Sequence, residues 1–123
     1  MRFHRTILAS ASASKILGVR AGTTHPFTGV WVVVAQDRVF VRAWSDNPTG
    51  WYRAFLAEPD GSMQLPSRVR PVRVRARKVR GQKLLDAIDA AYAAKYATPA
   101  SRKWVRGFSE PERRWRTLEL VGR

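Results

Sequence analysis

The chain has no cysteine. This excludes a disulfide framework, a thiolate nucleophile and any Cys-based zinc or iron–sulfur site. Histidine is nearly absent too: only His4 and His25 occur, with no HExxH pair and no cluster, so a zinc site has no basis. Acids are few and scattered, 9 Asp and Glu in all. Asp37, Asp46 and Asp60 sit where turns are expected. Asp86 and Asp89 fall in the early half of a helical pattern, where they suit the helix dipole. No two carboxylates form an acid/base pair, so glycoside hydrolysis lacks support. His25, alone before Pro26, is an ordinary loop histidine. No apolar run is long enough for a membrane-spanning helix. The start, Met1 to Ala13, superficially imitates an export signal, but its apolar stretch is short and broken by Ser and Ala. The expected location is the cytoplasm, although lack of cysteine alone suits the periplasm equally.

What the chain has in excess is positive charge. Its 123 residues carry 23 Lys and Arg, giving a net charge of +14 at pH 7. Arg outnumbers Lys 18 to 5. The planar guanidinium fork suits phosphate and carboxylate, so nucleic acid, an anionic surface or a phosphorylated cofactor are all attracted. The length fits one domain with a small core, for which oligomerisation is an economical way to bury surface. We read residues 1–14 as a helical or mobile leader and residues 15–123 as one domain.

Periodicity makes that domain mainly β. Lys15 to Arg20 is a short apolar cluster, with Gly18 and Gly22 suggesting turns around it. Val30-Trp31-Val32-Val33-Val34-Ala35 is β-branched and apolar on both faces, as a central strand is. Gln36-Asp37 is a tight connection. In the strand that follows, Val39, Val41 and Ala43 share one face and Phe40, Arg42 and Trp44 the other. Ser45 to Gly50 is a loop, and Trp51 to Leu56 is expected as a third strand. Pro59-Asp60-Gly61 is a turn signature, with a short strand near Met63 and Leu65. From Val69 to Val79, Val72, Val74 and Ala76 alternate with Arg73, Arg75 and Arg77, which reads as an edge-type strand with a basic outer face. Gln82 to Tyr96 changes to a period of three and four and is the one main helix. Thr98-Pro99 ends it, a basic aromatic loop through Arg102, Lys103, Trp104, Arg106 and Phe108 follows, and Arg116 to Val121 is a last strand. The expected architecture is a small antiparallel sheet or barrel with one main helix packed against it.

Three sets of residues carry potential chemistry. Arg68, Arg70, Arg73, Arg75, Arg77, Lys78, Arg80 and Lys83 form an acid-free stripe. It is either a solvated strand face guarding an edge or a phosphate-contacting surface. Trp31, Trp44, Trp51, Tyr52, Trp104 and Trp115 are mostly expected in core or rim packing. Trp44 and Trp51, however, flank the Ser45–Gly50 loop, where a pocket mouth would stand. Tyr92 and Tyr96 lie one helical turn apart beside Lys95, an arrangement that suits packing onto the sheet better than chemistry.

In order, Gly29 to Val34, Val39 to Trp44, Gly50 to Ala54, Ile88 to Tyr96 and Thr117 to Val121 resemble the DUF2255 family of small bacterial proteins, over about residues 16–121. That family is similar to the split β-barrel group around pyridoxamine-phosphate oxidase and the flavin reductases. The resemblance implies an FMN-binding-like split barrel, a homodimer, and FMN or a deazaflavin held in a groove. It singles out Arg42, Trp44, Ser45, Trp51 and Arg53, with Lys95 as a further cofactor-binding residue. Arg42 or Arg53 would hold phosphate, and Trp44 or Trp51 would cover the ring. The alternatives are a nucleic-acid-binding module using the Arg73/Arg75/Arg77 face with Trp104 or Phe108 stacking on bases, and a noncatalytic barrel for a metabolite or protein.

Overall fold

The computed structural model describes residues 3–123. Six antiparallel strands close into a barrel: β1 (Ile16–Ala21), β2 (Thr28–Ala35), β3 (Arg38–Arg42), β4 (Asp60–Gln64), β5 (Val72–Lys78) and β6 (Thr117–Gly122). Their order around the barrel is β1-β2-β3-β6-β5-β4. Five helices accompany them: α1 (Arg5–Ala13), α2 (Trp51–Ala57), α3 (Gln82–Lys95), α4 (Pro99–Phe108) and α5 (Pro111–Arg114).

Closure explains the strand patterns. Leu17, Val19, Val30, Val32, Val39, Val41, Met63, Val74, Ala76, Leu118 and Leu120 point inward and form the barrel core. Burying each of the larger aliphatic side chains contributes about 1.5–3 kcal/mol. The alternate residues Val33 and Phe40 point outward into a second core under α3 and α4, with Leu85, Ile88, Tyr92, Tyr96, Val105 and Phe108. β2 is apolar on both faces because both are covered. The β2–β3 turn has positive φ at Gln36 (55°) and Asp37 (57°), the geometry that lets a two-residue hairpin follow the strand twist.

The structure corrects several expectations. Trp51 to Leu56 lies in helix α2, not a strand. Tyr52 and Phe55, three residues apart, bury one face in the barrel core, so tertiary packing overrides the β preference of aromatic side chains. Thr98-Pro99 both ends α3 and starts α4, with the Thr98 hydroxyl accepting from the Ser101 N–H at 3.3 Å and Pro99 in the first turn. The segment through Trp104 and Phe108 is therefore a helix, not a loop, and joins α3, the main helix on the antiparallel barrel. Gly18 lies within β1 opposite Gly29 and makes no turn. Asp60 and Gly61 begin β4. β5 starts at Val72, and it is not an edge, because it pairs with β4 and β6. The leader is helical over Arg5–Ala13, and Ala11 is fully buried in the barrel core.

β1 stops pairing at Ile16–Trp31, which leaves the next backbone groups of β2 without a strand. Side chains replace it. The Tyr96 hydroxyl accepts from the Val32 N–H at 3.0 Å and donates to the Lys15 carbonyl at 2.6 Å. Lys95 Nζ donates to the Val32 carbonyl at 2.8 Å and to the Ala11 carbonyl at 3.1 Å, tying α1 to the same place.

Candidate functional site

The outer face of β3 ends in an arginine where its neighbour Phe40 is apolar, and a site forms around it. Arg42 has no exposed side-chain surface. Its Nε donates to the Thr117 hydroxyl on β6 at 2.7 Å. Its Nη1 donates to Asp89 on α3 at 2.6 Å and to the Phe108 carbonyl ending α4 at 3.0 Å. Its Nη2 is buried with no partner among the described residues. An unmade hydrogen bond on a buried charged group is costly, so such an atom calls for an explanation.

Arg42 lines a cavity of about 290 Å³ whose other walls are Gly29, Val30, Trp31, Trp44, Trp51, Trp104 and Phe108. The aromatic walls brace each other. Trp31 stacks on Tyr96 with ring centres 4.2 Å apart. Trp44 meets Trp104 edge to face at 5.1 Å and Phe108 at 5.7 Å. The Arg113 guanidinium lies 3.8 Å from the centre of the Trp44 ring, a cation–π contact that holds that wall upright. Gly107 lets Trp44 lie against α4, since a Cβ there would fall 2.6 Å from its Cζ3. Arg42 is the one ionisable side chain in the lining. The described lining therefore offers flat apolar surfaces with a buried cation behind them.

Of the six residues singled out in the sequence, the fold brings Arg42, Trp44 and Trp51 to this cavity. It leaves the other three elsewhere. Ser45 is exposed on the loop. Arg53 makes a two-pronged ion pair with Asp46 (both 2.6 Å) across that loop, and its hydrogen bond holds the Asp46 carboxyl below its usual range. Lys95 closes the gap beside β2, where burial pushes its pKa down to about 8. Tyr92 and Tyr96 serve packing. The Tyr92 hydroxyl donates to the Trp31 carbonyl at 3.0 Å, and burial raises both phenols, Tyr96 to about 12. Sequence reasoning missed Gly29, Val30 and Trp31 as walls and gave Trp104 and Phe108 another role. Phe108 is buried in the second core, so it is not free to stack on a base. The available signal was Ser101, Val105 and Phe108 at helical spacing after a capping Thr98.

The basic strand keeps its alternation. Val74 and Ala76 are buried inside the barrel, and Arg73, Arg75 and Arg77 are exposed outside. Arg75 pairs with Asp60 at 2.9 Å, and Arg77 approaches Glu119 at 3.5 Å, which Arg38 also holds at 2.8 Å. Burial alone would raise Glu119, but the hydrogen bond and charge of Arg38, helped by Arg77, keep it below the usual carboxylate range.

A second, smaller cavity of about 60 Å³ adjoins the first. It is lined by Arg20, Ala21, His25, Pro26, Thr28, Thr49, Gly50, Trp51 and Ala54. Trp51 belongs to both walls.

The model of a family described as "Uncharacterized protein conserved in bacteria (DUF2255)" matches residues 8–120. No curated protein matches the sequence. Among solved structures, the chain is similar to the conserved hypothetical protein Rv2991 from Mycobacterium tuberculosis, at TM-score 0.67 and 13% identity, covering 100% of this chain and 82% of that one. It is also similar to a heme binding protein from Mycobacterium smegmatis, at TM-score 0.55 and 12% identity, over 98% of this chain and 52% of the other. At such identities the likeness is one of fold.

Proposed function

We propose a binding function for this chain, which belongs to the DUF2255 family: its barrel takes a small planar conjugated molecule into the Arg42 cavity. Four tryptophans around one cavity, backed by the buried Arg42 charge, carry the reading. A ring between indole faces gains stacking and apolar burial, and the Arg42 charge buried behind that wall favours an electron-rich edge on it. An isoalloxazine or deazaflavin ring, with its carbonyl edge, has this chemistry. A bound flavin would supply redox chemistry of its own, and this chain's share would be to seat the ring, face its acceptor edge with Arg42 and keep water off one side. The pocket fits haem poorly, because among the described residues no His, Cys, Met or Tyr lines it to ligate iron. Trp44 and Trp104 are 37% and 46% exposed at the rim, and we propose that a second copy of the chain covers them in a homodimer.

The test is titration of riboflavin, FMN and a deazaflavin while following cofactor fluorescence, with mass measured by sedimentation. Saturable binding near one ring per chain, weakened roughly tenfold by Trp104→Ala, is the expected result. No saturable change with any of the three overturns the flavin reading.

A second reading rests on the opposite character of β5. In a closed barrel there is no edge for its arginines to guard, and on this exposed face Arg73 makes no ion pair among the described residues, while Arg75 and Arg77 reach Asp60 and Glu119. That face would contact a nucleic-acid backbone. Affinity for a mixed-sequence oligonucleotide should then fall steeply with salt, and Arg73→Gln with Arg75→Gln should flatten the slope. Salt-independent or absent binding ends this reading.

A further inference from the structure

We infer that the small cavity beside Trp51 is an anion subsite, so that the molecule bound in the larger cavity carries a phosphate or carboxylate tail. This rests on the ring-binding reading above for its ligand, but the subsite stands on its own observations. Arg20 points outward from β1 and forms no ion pair among the described residues. Its Nε is buried without a partner, and its guanidinium lies 4.5 Å from the centre of the Phe27 ring. Stacking on Phe27 fixes the fork while leaving its in-plane donors free. His25, Thr28 and Thr49 line the same space, with the Thr49 hydroxyl donating to the Asn47 side-chain oxygen at 3.1 Å.

Among the described residues, no carboxylate lines this cavity. That is the composition of an anion site: a cationic fork held on Phe27 and the polar residues His25 and Thr28, with no competing acid. Its volume of about 60 Å³ suits a group as small as a phosphate and excludes a ring. Position links it to the larger cavity. Trp51 walls both, and Thr28 and Gly29 are consecutive residues of β2, one in each lining. A ring seated against Trp51 thus has an exit for a tail on the other side of the same indole.

The subsite also relocates the phosphate. Arg42 and Arg53 are the residues that the family resemblance favours for it. Arg42 is fully buried with Nε and Nη1 committed, and Arg53 is committed to Asp46. Arg20 and His25 are what the geometry offers instead.

The experiment compares riboflavin with FMN, the same ring without and with a phosphate. The wild-type protein should bind FMN at least about tenfold more tightly, as one charge-assisted contact allows. Arg20→Gln should remove that ratio and leave riboflavin affinity unchanged. Inorganic phosphate should compete with FMN and not with riboflavin, whereas acetate competing equally well would assign the subsite to carboxylates. A ratio of one in the wild type, or an undiminished ratio in Arg20→Gln, overturns the inference. If neither flavin binds, the ring reading has failed and the subsite is decided separately by titrating phosphate and acetate while observing the His25 ring protons by NMR. A saturable shift with either anion that Arg20→Gln and the milder Thr28→Val both weaken supports the subsite, and no shift with either anion, or a shift that both variants leave unchanged, rejects it.

Discussion

Replacing Gly107 by alanine should have opposite effects in two backgrounds. In isolation, alanine is the better helix former, by up to about 1 kcal/mol relative to glycine. In this protein the new methyl would fall 2.6 Å from Trp44 Cζ3, inside van der Waals contact, with Arg113 Nη1 at 3.5 Å on another side. Trp44 must swing away. It then gives up its cation–π contact with Arg113 and its edge contact with Trp104, each contributing about 0.5–1 kcal/mol. Gly107→Ala alone should therefore destabilise the protein by about 1 kcal/mol once the helix gain is subtracted. In a Trp44→Ala background the obstruction is gone, and the same substitution should stabilise by about 0.5–1 kcal/mol. The coupling is about 2 kcal/mol, well above what non-contacting pairs show. Urea unfolding followed by far-ultraviolet circular dichroism is the right assay, since indole fluorescence changes with the mutations themselves. Equal effects in both backgrounds, to within about 0.5 kcal/mol, would refute the idea that α4 and Trp44 are fitted to each other.

Other expectations are as direct. Gly61→Ala should cost about 3 kcal/mol in urea unfolding, because its Cβ would strike the Arg20 carbonyl, with Phe55 Cε1 at 2.9 Å and Ala21 Cα at 3.0 Å, and backbone cannot yield cheaply; a loss below about 0.5 kcal/mol would contradict that close approach. Gln36→Asn with Asp37→Gly should stabilise by about 1 kcal/mol, since both positions hold positive φ, and a lower urea midpoint would count against it. Stability should depend on alkaline pH in two windows. Lys95 is lowered from 10.5 to about 8 by burial, so between those values the unfolded chain holds more protons and stability rises with pH. Tyr96 is raised from 10.0 to about 12, so its contribution is complete below pH 10 and is lost as pH climbs toward 12. Urea midpoints should rise from pH 8 to 10 and then fall, and Lys95→Met should flatten the rise; identical profiles for the two proteins would refute the assignment.

The parts of the fold legible in the sequence are those whose signal is local. β-branched runs marked β2 and β3, the Arg/Val alternation marked β5, and the change of period marked α3. Helix α2 was illegible because Trp, Tyr and Phe favour strands, and only contact with β1 makes Tyr52 and Phe55 one helical face. Closure of the barrel rests on β1 pairing with β4, some forty residues apart, and no residue advertises it. The candidate site divides the same way. A lone arginine on an aromatic strand face and two tryptophans flanking a loop pointed to Arg42, Trp44 and Trp51. Trp104 and Phe108 reach the cavity only because α4 exists, and Arg53, on α2, was lost to an acid on the preceding loop.

The doubly apolar β2 bears on how the chain folds. Along most strands a slip of one residue turns polar groups inward, and that penalty protects the register. Slipping β2 would exchange Val32 and Val34 for Val33 and Ala35, and apolar side chains would still face the core. Its turn, with Gln36 and Asp37 at positive φ, adds little local preference. The alignment of β2 on β3 is instead verified from outside, when Tyr96 and Lys95 find the backbone of Val32 and Trp31 finds the Tyr96 ring. Helix α3, made more than forty residues after β2, is thus the proofreader of a hairpin that is synthesised first. Until α3 emerges, the nascent hairpin exposes two apolar faces in an unchecked register, which is the interval in which aggregation competes with folding.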